Sequence, residues 1–165
     1  MDNFIGKLTF FTAGIVVGVF LMRPGSAQQS PAPALRLNHV GVYAKDFNES
    51  MNFYTKTMGF REAFSLKDKD GNPMLTYLQI SRDTFLELAP ANAQRPAGLS
   101  HVGIWPDDLN ATVLELRQRG VKVDDPRVTS SKSSITSIVD PNGVRLELLN
   151  ILPDSLQRKA IDSWR

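Results

Sequence analysis

The chain contains two histidines, His39 and His101, and they stand in matching contexts. Residues 37–48 read LNHVGVYAKDFN and residues 99–110 read LSHVGIWPDDLN, so Leu, His, Val, Gly, Asp and Asn recur in register at an offset of 62. Phe85-Leu86-Glu87-Leu88 matches Arg145-Leu146-Glu147-Leu148 at an offset of 60. Self-similarity of this kind marks two related structural units. It also places two imidazoles and two carboxylates at equivalent positions. Two nitrogen and two oxygen donors suit one divalent first-row ion such as Ni²⁺, Co²⁺, Mn²⁺, Fe²⁺ or Zn²⁺. Without an ion, two carboxylates held close repel and one takes up a proton. A single strand histidine is ordinarily a satisfied structural residue, and a single glutamate near a strand end is ordinarily solvated. The fourfold coincidence is different, because keeping polar groups at four inward sites brings no packing benefit.

The elements that must position these groups follow the same repeat. Alternation predicts a strand over 36–43, with His39, Gly41 and Tyr43 on one face and Val40 and Val42 on the other. Asp46 predicts a helix cap, Phe47, Met51, Tyr54 and Met58 an apolar stripe, and Gly59 the helix end. Strands are expected at 60–66, 74–80 and 83–89, with a turn at 67–73. The second unit predicts a strand at 99–105 and a helix capped by Asp107 or Asp108, with Leu109, Val113 and Leu116 inward and Gly120 at its end. Strands near 121–128, 134–139 and 144–150 follow, the last after the turn Asp140-Pro141-Asn142-Gly143. Each half thus reads β-α-β-β-β. Leu86 and Leu88 take the core face, as do Leu146 and Leu148, which turns Glu87 and Glu147 away from that core into a concave side. Lys132 and the serines of 130–134 read as a flexible rim. Leu156, Ala160, Ile161 and Trp164 give a terminal helix over 154–164 its apolar side.

The 165 residues carry a formal net charge of +2 without a basic block, so nucleic acid is not an expected partner. Cysteine is absent, which removes disulfides, thiolate ligands and thiol nucleophiles. Lys7 precedes an apolar run from Leu8 to Met22, and Gly25-Ser26-Ala27 supplies small residues for a cut after Ala27. Residues 1–27 therefore read as a signal peptide, with an uncleaved N-terminal anchor as the other reading. Export to the periplasm or beyond is expected, or membrane attachment through that segment alone. Residues 28–34 read as a flexible linker, 35–152 as the folded domain (unit one 35–90, unit two 97–150) and 153–165 as the C-terminal helix.

These motifs resemble the vicinal-oxygen-chelate superfamily, which includes glyoxalase I, bleomycin resistance proteins and extradiol dioxygenases. The resemblance rests on Leu37-Asn38-His39-Val40-Gly41-Val42, Phe53-Tyr54 through Met58-Gly59-Phe60, Phe85-Leu86-Glu87-Leu88, His101-Val102-Gly103-Ile104, and Asp140-Pro141-Asn142-Gly143 through Leu146-Glu147-Leu148. It implies an α+β fold in which two βαβββ modules form an open, cupped mixed sheet around a metal. It also implies a ligand order His39, Glu87, His101 and Glu147, similar to bacterial glyoxalase I. The implied activity is that of a metal-dependent lyase or isomerase. A small substrate with two vicinal oxygens chelates the ion, a metal-bound enediolate forms, and Glu147 or Glu87 moves the proton.

Two features depart from glyoxalase I itself. Related enzymes hold the glutathione carboxylate with an Arg four residues past the first ligand and an Asn four past the second, and those positions are Tyr43 and Ala91 here. Export also separates the chain from cytosolic glutathione. Tyr43, Phe85, Trp105 and Arg145 are the expected substrate contacts, the first three as cavity walls and the last for an anionic group. The alternatives within the resemblance are an epimerase of a 2-substituted acyl compound, a branch that usually has Gln where Glu87 stands, and an extradiol dioxygenase, which usually needs a further histidine. A non-catalytic small-ligand-binding module is the alternative of another class. The two units can pair within one chain or across a homodimer.

Overall fold

The structure, a computed structural model, describes residues 34–165. The leader or anchor expected over 1–27, and all of the expected linker except Ala34, lie outside the described residues. Eight strands and three helices follow in order. They are β1 (Leu35–Ala44), α1 (Phe47–Asn52), β2 (Arg61–Lys67), β3 (Pro73–Gln79), β4 (Phe85–Pro90), β5 (Gly98–Pro106), α2 (Leu109–Gln118), β6 (Arg127–Val128), β7 (Ser134–Val139), β8 (Arg145–Asn150) and α3 (Leu156–Asp162).

All strands join one mixed sheet in the order β2-β3-β4-β1-β5-β8-β7-β6, curled into a half-barrel. Each unit supplies four adjacent strands, and the units meet within the chain where β1 runs antiparallel to β5. On either side of this seam the pairing is parallel, β1 with β4 and β5 with β8. The repeat seen in the sequence thus becomes a pseudo-twofold passing between β1 and β5.

Three local departures from the expected pattern have physical causes. The first helix is α-helical only through Asn52 and continues as a π-helical turn over Phe53–Thr57. Thr55 Oγ1 donates to the Met51 carbonyl at 2.7 Å, competing with the backbone ladder at the change of pitch. Met58, expected in the apolar stripe, is exposed. In the second unit the strand expected near 121–128 shrinks to Arg127 and Val128. Arg117 donates to the Val123 carbonyl and Thr136 to the Asp124 carbonyl, so side chains occupy acceptors a strand ladder would use. Pro126 also lacks a backbone donor. At α2 the cap is Asp108, whose Oδ1 accepts from Ala111 N at 3.0 Å, while Asp107 pairs with Arg36.

Apolar packing covers both faces of the sheet. Leu109 and Val113 of α2 pack with Val123 and Leu148 on one side. Phe85 and Leu149 have the opposite parity, that of the glutamates, and they pack with Tyr77, Ile135, Ile151, Ala160 and Ile161. A core was expected only on the leucine face. The second core exists because α3 returns into the cup. It is tied there at both ends: Leu156 N donates to the Ser131 carbonyl at 3.0 Å, and Arg61 donates to the carbonyls of Ala160 and Ser163 at 3.1 and 3.2 Å.

Leu149 is 0% exposed in this second core, whereas Leu114 on α2 is 59% exposed. Leu149→Ala is expected to lower unfolding free energy by about 2–5 kcal/mol, through lost transfer energy and the cavity left behind. Leu114→Ala should stay within about 0.5 kcal/mol of the parent protein. Urea unfolding of the two variants checks the contrast.

Candidate metal centre

The site begins at the seam. The β1–β5 register sets His39 opposite Gly103 and Gly41 opposite His101. Residues paired across two strands project to the same face, so each imidazole needs the space its partner's side chain would take. A Cβ on Gly41 would run into the His101 ring, and a Cβ on Gly103 into the His39 ring, both far inside van der Waals contact. The two His-Val-Gly motifs are therefore reciprocal: each glycine is the berth of the other unit's histidine. The rings meet with 4.9 Å between centroids at 82°, and the two Nε2 atoms are 2.8 Å apart.

The outer nitrogens fix which atoms face inward. Asn38 Nδ2 donates to the Asp83 carbonyl at 3.0 Å, which leaves Asn38 Oδ1 facing His39 Nδ1 at 2.9 Å. An amide oxygen only accepts, so His39 Nδ1 carries the proton and Nε2 presents a lone pair. His101 Nδ1 lies 2.9 Å from Ser100 Oγ, a hydroxyl able to donate or accept. With no cation present, His101 Nε2 must carry the proton between the rings. With a cation at the junction, Ser100 accepts from Nδ1–H and both Nε2 lone pairs point inward. Asn38 and Ser100 are equivalent in the repeat, and reading the sequence alone gave neither a role. The signal was there: each is a polar residue directly before a histidine, on the face otherwise taken by Val40 and Val102.

The carboxylates approach from the flanking strands. Glu87 on β4 is aligned with Gly41, and Glu147 on β8 with Gly103. Glu87 Oε2 is 3.8 Å from each histidine Nε2. His39, Glu87 and His101 offer ligand atoms that all lie within 4.8 Å of one another. Glu147 borders this trio, with Oε1 3.6 Å from His39 Nε2. All four residues of the expected set are thus brought together, three tightly and Glu147 at the edge. Tyr77, a residue the sequence gave no reason to single out, donates to Glu87 Oε2 at 2.6 Å. It sits opposite Glu87 in the β3–β4 register, but its counterpart in the repeat is Ser137, so internal symmetry could not reveal it.

Burial sets the electrostatics. It lowers the His39 imidazole to about 3, helped by His101 and then Arg145, and lowers His101 to about 4, helped by Arg145. Both rings are therefore neutral near pH 7, the form that binds a metal. Burial also raises Glu147 to about 7, with the nearby Glu87 adding to the rise and Arg145 opposing it. Glu87 is raised by burial too, against the Tyr77 hydrogen bond and the charge of Arg145. Two neutral imidazoles and two carboxyls pushed toward their neutral form are an environment that a dication relieves. The donor set fits a divalent ion that His39, Glu87 and His101 could hold, with Glu147 beside them.

A cavity of about 310 Å³ opens on Glu87, Glu147 and Tyr77. Leu66, Leu75 and Ile135 are among its apolar lining residues, and Arg127, Thr129, Ser130 and Ser131 among its polar ones. The serine-rich loop read as a plain rim is part of the cavity, and Ser131 and Ser133 are buried. The expected walls Tyr43, Phe85 and Trp105 are not among the lining residues. Phe85 is 0% exposed in the core beneath α3. Tyr43 lies under the Arg95 guanidinium at 5.6 Å, and Trp105 lies between those of Arg36 at 4.4 Å and Arg158 at 5.7 Å. Arg145 bonds Glu147 Oε2 and Ser137 Oγ, each at 3.3 Å.

Gly103→Ala and Gly41→Ala keep every ligand residue but displace a ring. Each is expected to weaken binding of Ni²⁺ or Co²⁺ by at least about 100-fold, the upper end for disturbed ligand orientation. Isothermal titration of the two variants against the parent protein provides the check; unchanged affinity would refute the reciprocal-berth geometry.

Comparison with known proteins agrees with this architecture. The family model described as Glyoxalase/Bleomycin resistance protein/Dioxygenase superfamily matches residues 36–148. An uncharacterized Escherichia coli protein, YaeR, is 27% identical over 121 residues, covering 68% of this chain and 94% of that protein. A probable chloroplastic lactoylglutathione lyase of Arabidopsis thaliana is 30% identical over 123 residues, covering 69% of this chain and 35% of that protein. Among solved structures, a variant of Streptomyces coelicolor methylmalonyl-CoA epimerase in complex with 2-nitronate-propionyl-CoA superposes with a TM-score of 0.61 at 26% identity, covering 73% of this chain and 96% of that one. With its paired modules and this match, the chain belongs to the glyoxalase/bleomycin resistance protein/dioxygenase superfamily.

Proposed function

We propose that the chain is a metal-dependent lyase or isomerase of the glyoxalase type, moving a proton at the carbon beside a carbonyl in a small substrate with two neighbouring oxygens. The observation that carries this reading is the convergence of His39, Glu87 and His101 within 4.8 Å, with Glu147 alongside at the mouth of a cavity. A divalent ion held there would polarise the carbonyl and acidify the adjacent C–H.

The chain's own residues divide the remaining work. His39 and His101 are buried, neutral and locked across the seam, so they serve as fixed ligands. The Tyr77 hydroxyl holds Glu87 in place. Glu147 stands at the edge of the cluster, where its carboxylate can take up the substrate's proton as a general base. Arg145 orients the Glu147 carboxylate. Leu66, Leu75 and Ile135 shield the reacting carbon from water, while Arg127 and Ser130 meet the substrate's polar end.

A second reading, epimerisation of a 2-substituted acyl compound, draws support from the epimerase neighbour at 26% identity. It uses the same proton transfer at Glu147, with Glu87 returning the proton from the other side. The dioxygenase alternative has less support, since the chain has only two histidines and both are committed to the cluster.

Glu147→Gln is expected to lower kcat by about 10²–10⁴-fold, the usual weight of a general base, while His101→Ala removes the metal. Solvent-deuterium incorporation into 2-oxoaldehyde–thiol adducts and 2-substituted acyl thioesters distinguishes the two readings. Full activity in Glu147→Gln would refute the assignment of the base.

The pH dependence of metal uptake tests the electrostatics separately. Glu147 is raised from 4.5 to about 7, so below pH 7 a metal must displace its proton. Apparent affinity should fall by up to about tenfold per pH unit between 7 and 5, with proton release visible as a buffer-dependent binding enthalpy. In the metal-free protein the raised Glu147 pKa contributes stability that is full below 4.5 and lost as pH rises through about 7. The depressed histidines act oppositely: their contribution is full above 6.5 and lost as pH falls toward 4 and then 3. A pH-independent metal affinity would contradict this account.

A further inference from the structure

Arg145, the cation expected to meet an anionic group, is bonded to Glu147 and Ser137 instead. Among the residues lining the cavity, Arg127 on β6 is the one cationic side chain. Its strand partner in register is Ile135, which also lines the cavity, so the two project to the same face. Arg127 is exposed and forms no ion pair among the described residues. The C-terminal helix adds a second donor. It lies beyond residues 36–148, the span that matches the family, yet Gln157 from its first turn lines the cavity and is 2% exposed. Ser133 Oγ donates to Gln157 Oε1 at 2.7 Å, which fixes the amide by its oxygen. The amide nitrogen bonds no described residue, and no sealed side-chain nitrogen or oxygen among those residues lacks a partner, so this nitrogen opens on the cavity. A donor held so deep costs free energy unless something accepts from it. The loop hydroxyls nearby are already spent: Thr129 Oγ1 donates to the Ser133 carbonyl at 3.1 Å and lies 2.9 Å from Ser131 Oγ.

We infer that Arg127 and Gln157 form a subsite for a carboxylate, so that the substrate is a small compound carrying a carboxylate in addition to its two neighbouring oxygens. The guanidinium supplies the charge and a planar fork of donors that matches a carboxylate. The buried amide supplies direction, because its oxygen is held from behind and only its nitrogen is free to donate. One guanidinium beside a neutral amide balances one negative charge, which suits a carboxylate better than a phosphate dianion. The other charged lining residues, Glu87 and Glu147, belong to the metal centre and repel an anion that comes to rest beside them without an ion. At about 310 Å³ the cavity stands at the low end of the ~300–1,000 Å³ usual for small-molecule sites, so the carboxylate and the chelating oxygens belong to one compact molecule. The bond from Leu156 N to the Ser131 carbonyl ties the start of α3 to the cavity loop and keeps Gln157 in place.

The inference rests on the proposed function, and paired probes separate the two. Binding of 2-oxoglutarate, a vicinal-oxygen chelator with a further carboxylate, and of 2-oxopentanoate, which lacks it, is measured by isothermal titration on the Co²⁺-loaded full chain. The parent protein is expected to favour 2-oxoglutarate by about tenfold or more, the usual weight of hydrogen bonds to a charged group. Gln157→Leu and Arg127→Gln should each cut that preference severalfold while leaving 2-oxopentanoate and Co²⁺ affinity unchanged, a split that general damage to the fold does not give. Gln157→Glu keeps the shape and the acceptor for Ser133 but puts an acceptor where the donor stood. It should abolish the preference, and it serves if Gln157→Leu fails to fold. Equal affinity for the two probes in the parent protein, or a preference that survives both Gln157→Glu and Arg127→Gln, overturns the subsite and leaves the metal centre standing. If the parent protein binds no Co²⁺, the proposed function falls and the same probes on the metal-free protein decide the subsite: a preference for 2-oxoglutarate that Arg127→Gln removes upholds it, and no preference overturns it.

Discussion

Two imidazole nitrogens held 2.8 Å apart across an antiparallel seam are the constraint around which the rest of the molecule is arranged. Bringing them together requires β1 and β5 to be adjacent, in a register that sets each histidine against a glycine. It requires both rings to be buried and neutral. It also requires the outer nitrogens to be occupied by Asn38 and Ser100, so that the inner ones are available. The parallel partners β4 and β8 then bring one glutamate from each side. A duplicated module generates this arrangement economically, because a pseudo-twofold axis through the seam converts one His and one Glu per unit into a fourfold cluster.

The ligands are symmetric but their support is not. Glu87 is backed by Tyr77 against a core filled by Phe85. Glu147 is bordered by Arg145 and opens on the cavity, with Arg127 near enough to oppose its raised pKa. One carboxylate of the duplicated site is thereby held by a hydroxyl and the other by a guanidinium. The asymmetry comes from substitutions at equivalent places, Phe85 against Arg145 and Tyr77 against Ser137, and from a C-terminal helix that enters the cup once.

The sequence disclosed the features that repeat and concealed those that do not. His39, His101, Glu87 and Glu147 were visible because duplication places them in register and strand parity turns them inward. The same alternation located most strands and the Asp108-capped helix. Gly41 and Gly103 were visible as repeated letters, but their purpose depends on inter-strand register, which one strand alone does not reveal. Tyr77 lies outside the symmetric set, so nothing local marked it. Tyr43, Phe85 and Trp105 share the parity of the ligands yet do not line the cavity: parity fixes the face, while α3 packs in one core with Phe85 and sets Arg158 against Trp105. The amphipathic pattern of 154–164 announced a helix without saying what it would cover. The apolar side chains of Phe85 and Leu149 on the glutamate face were the available hint.

The most direct test is a crystal structure of the protein grown with Co²⁺, with anomalous data collected on both sides of the cobalt edge. One strong anomalous peak per chain is expected at the seam, bonded by the Nε2 atoms of His39 and His101 and by carboxylate oxygens of Glu87 and Glu147. A featureless seam, a peak bound elsewhere, or a peak that leaves either histidine uncoordinated would contradict it.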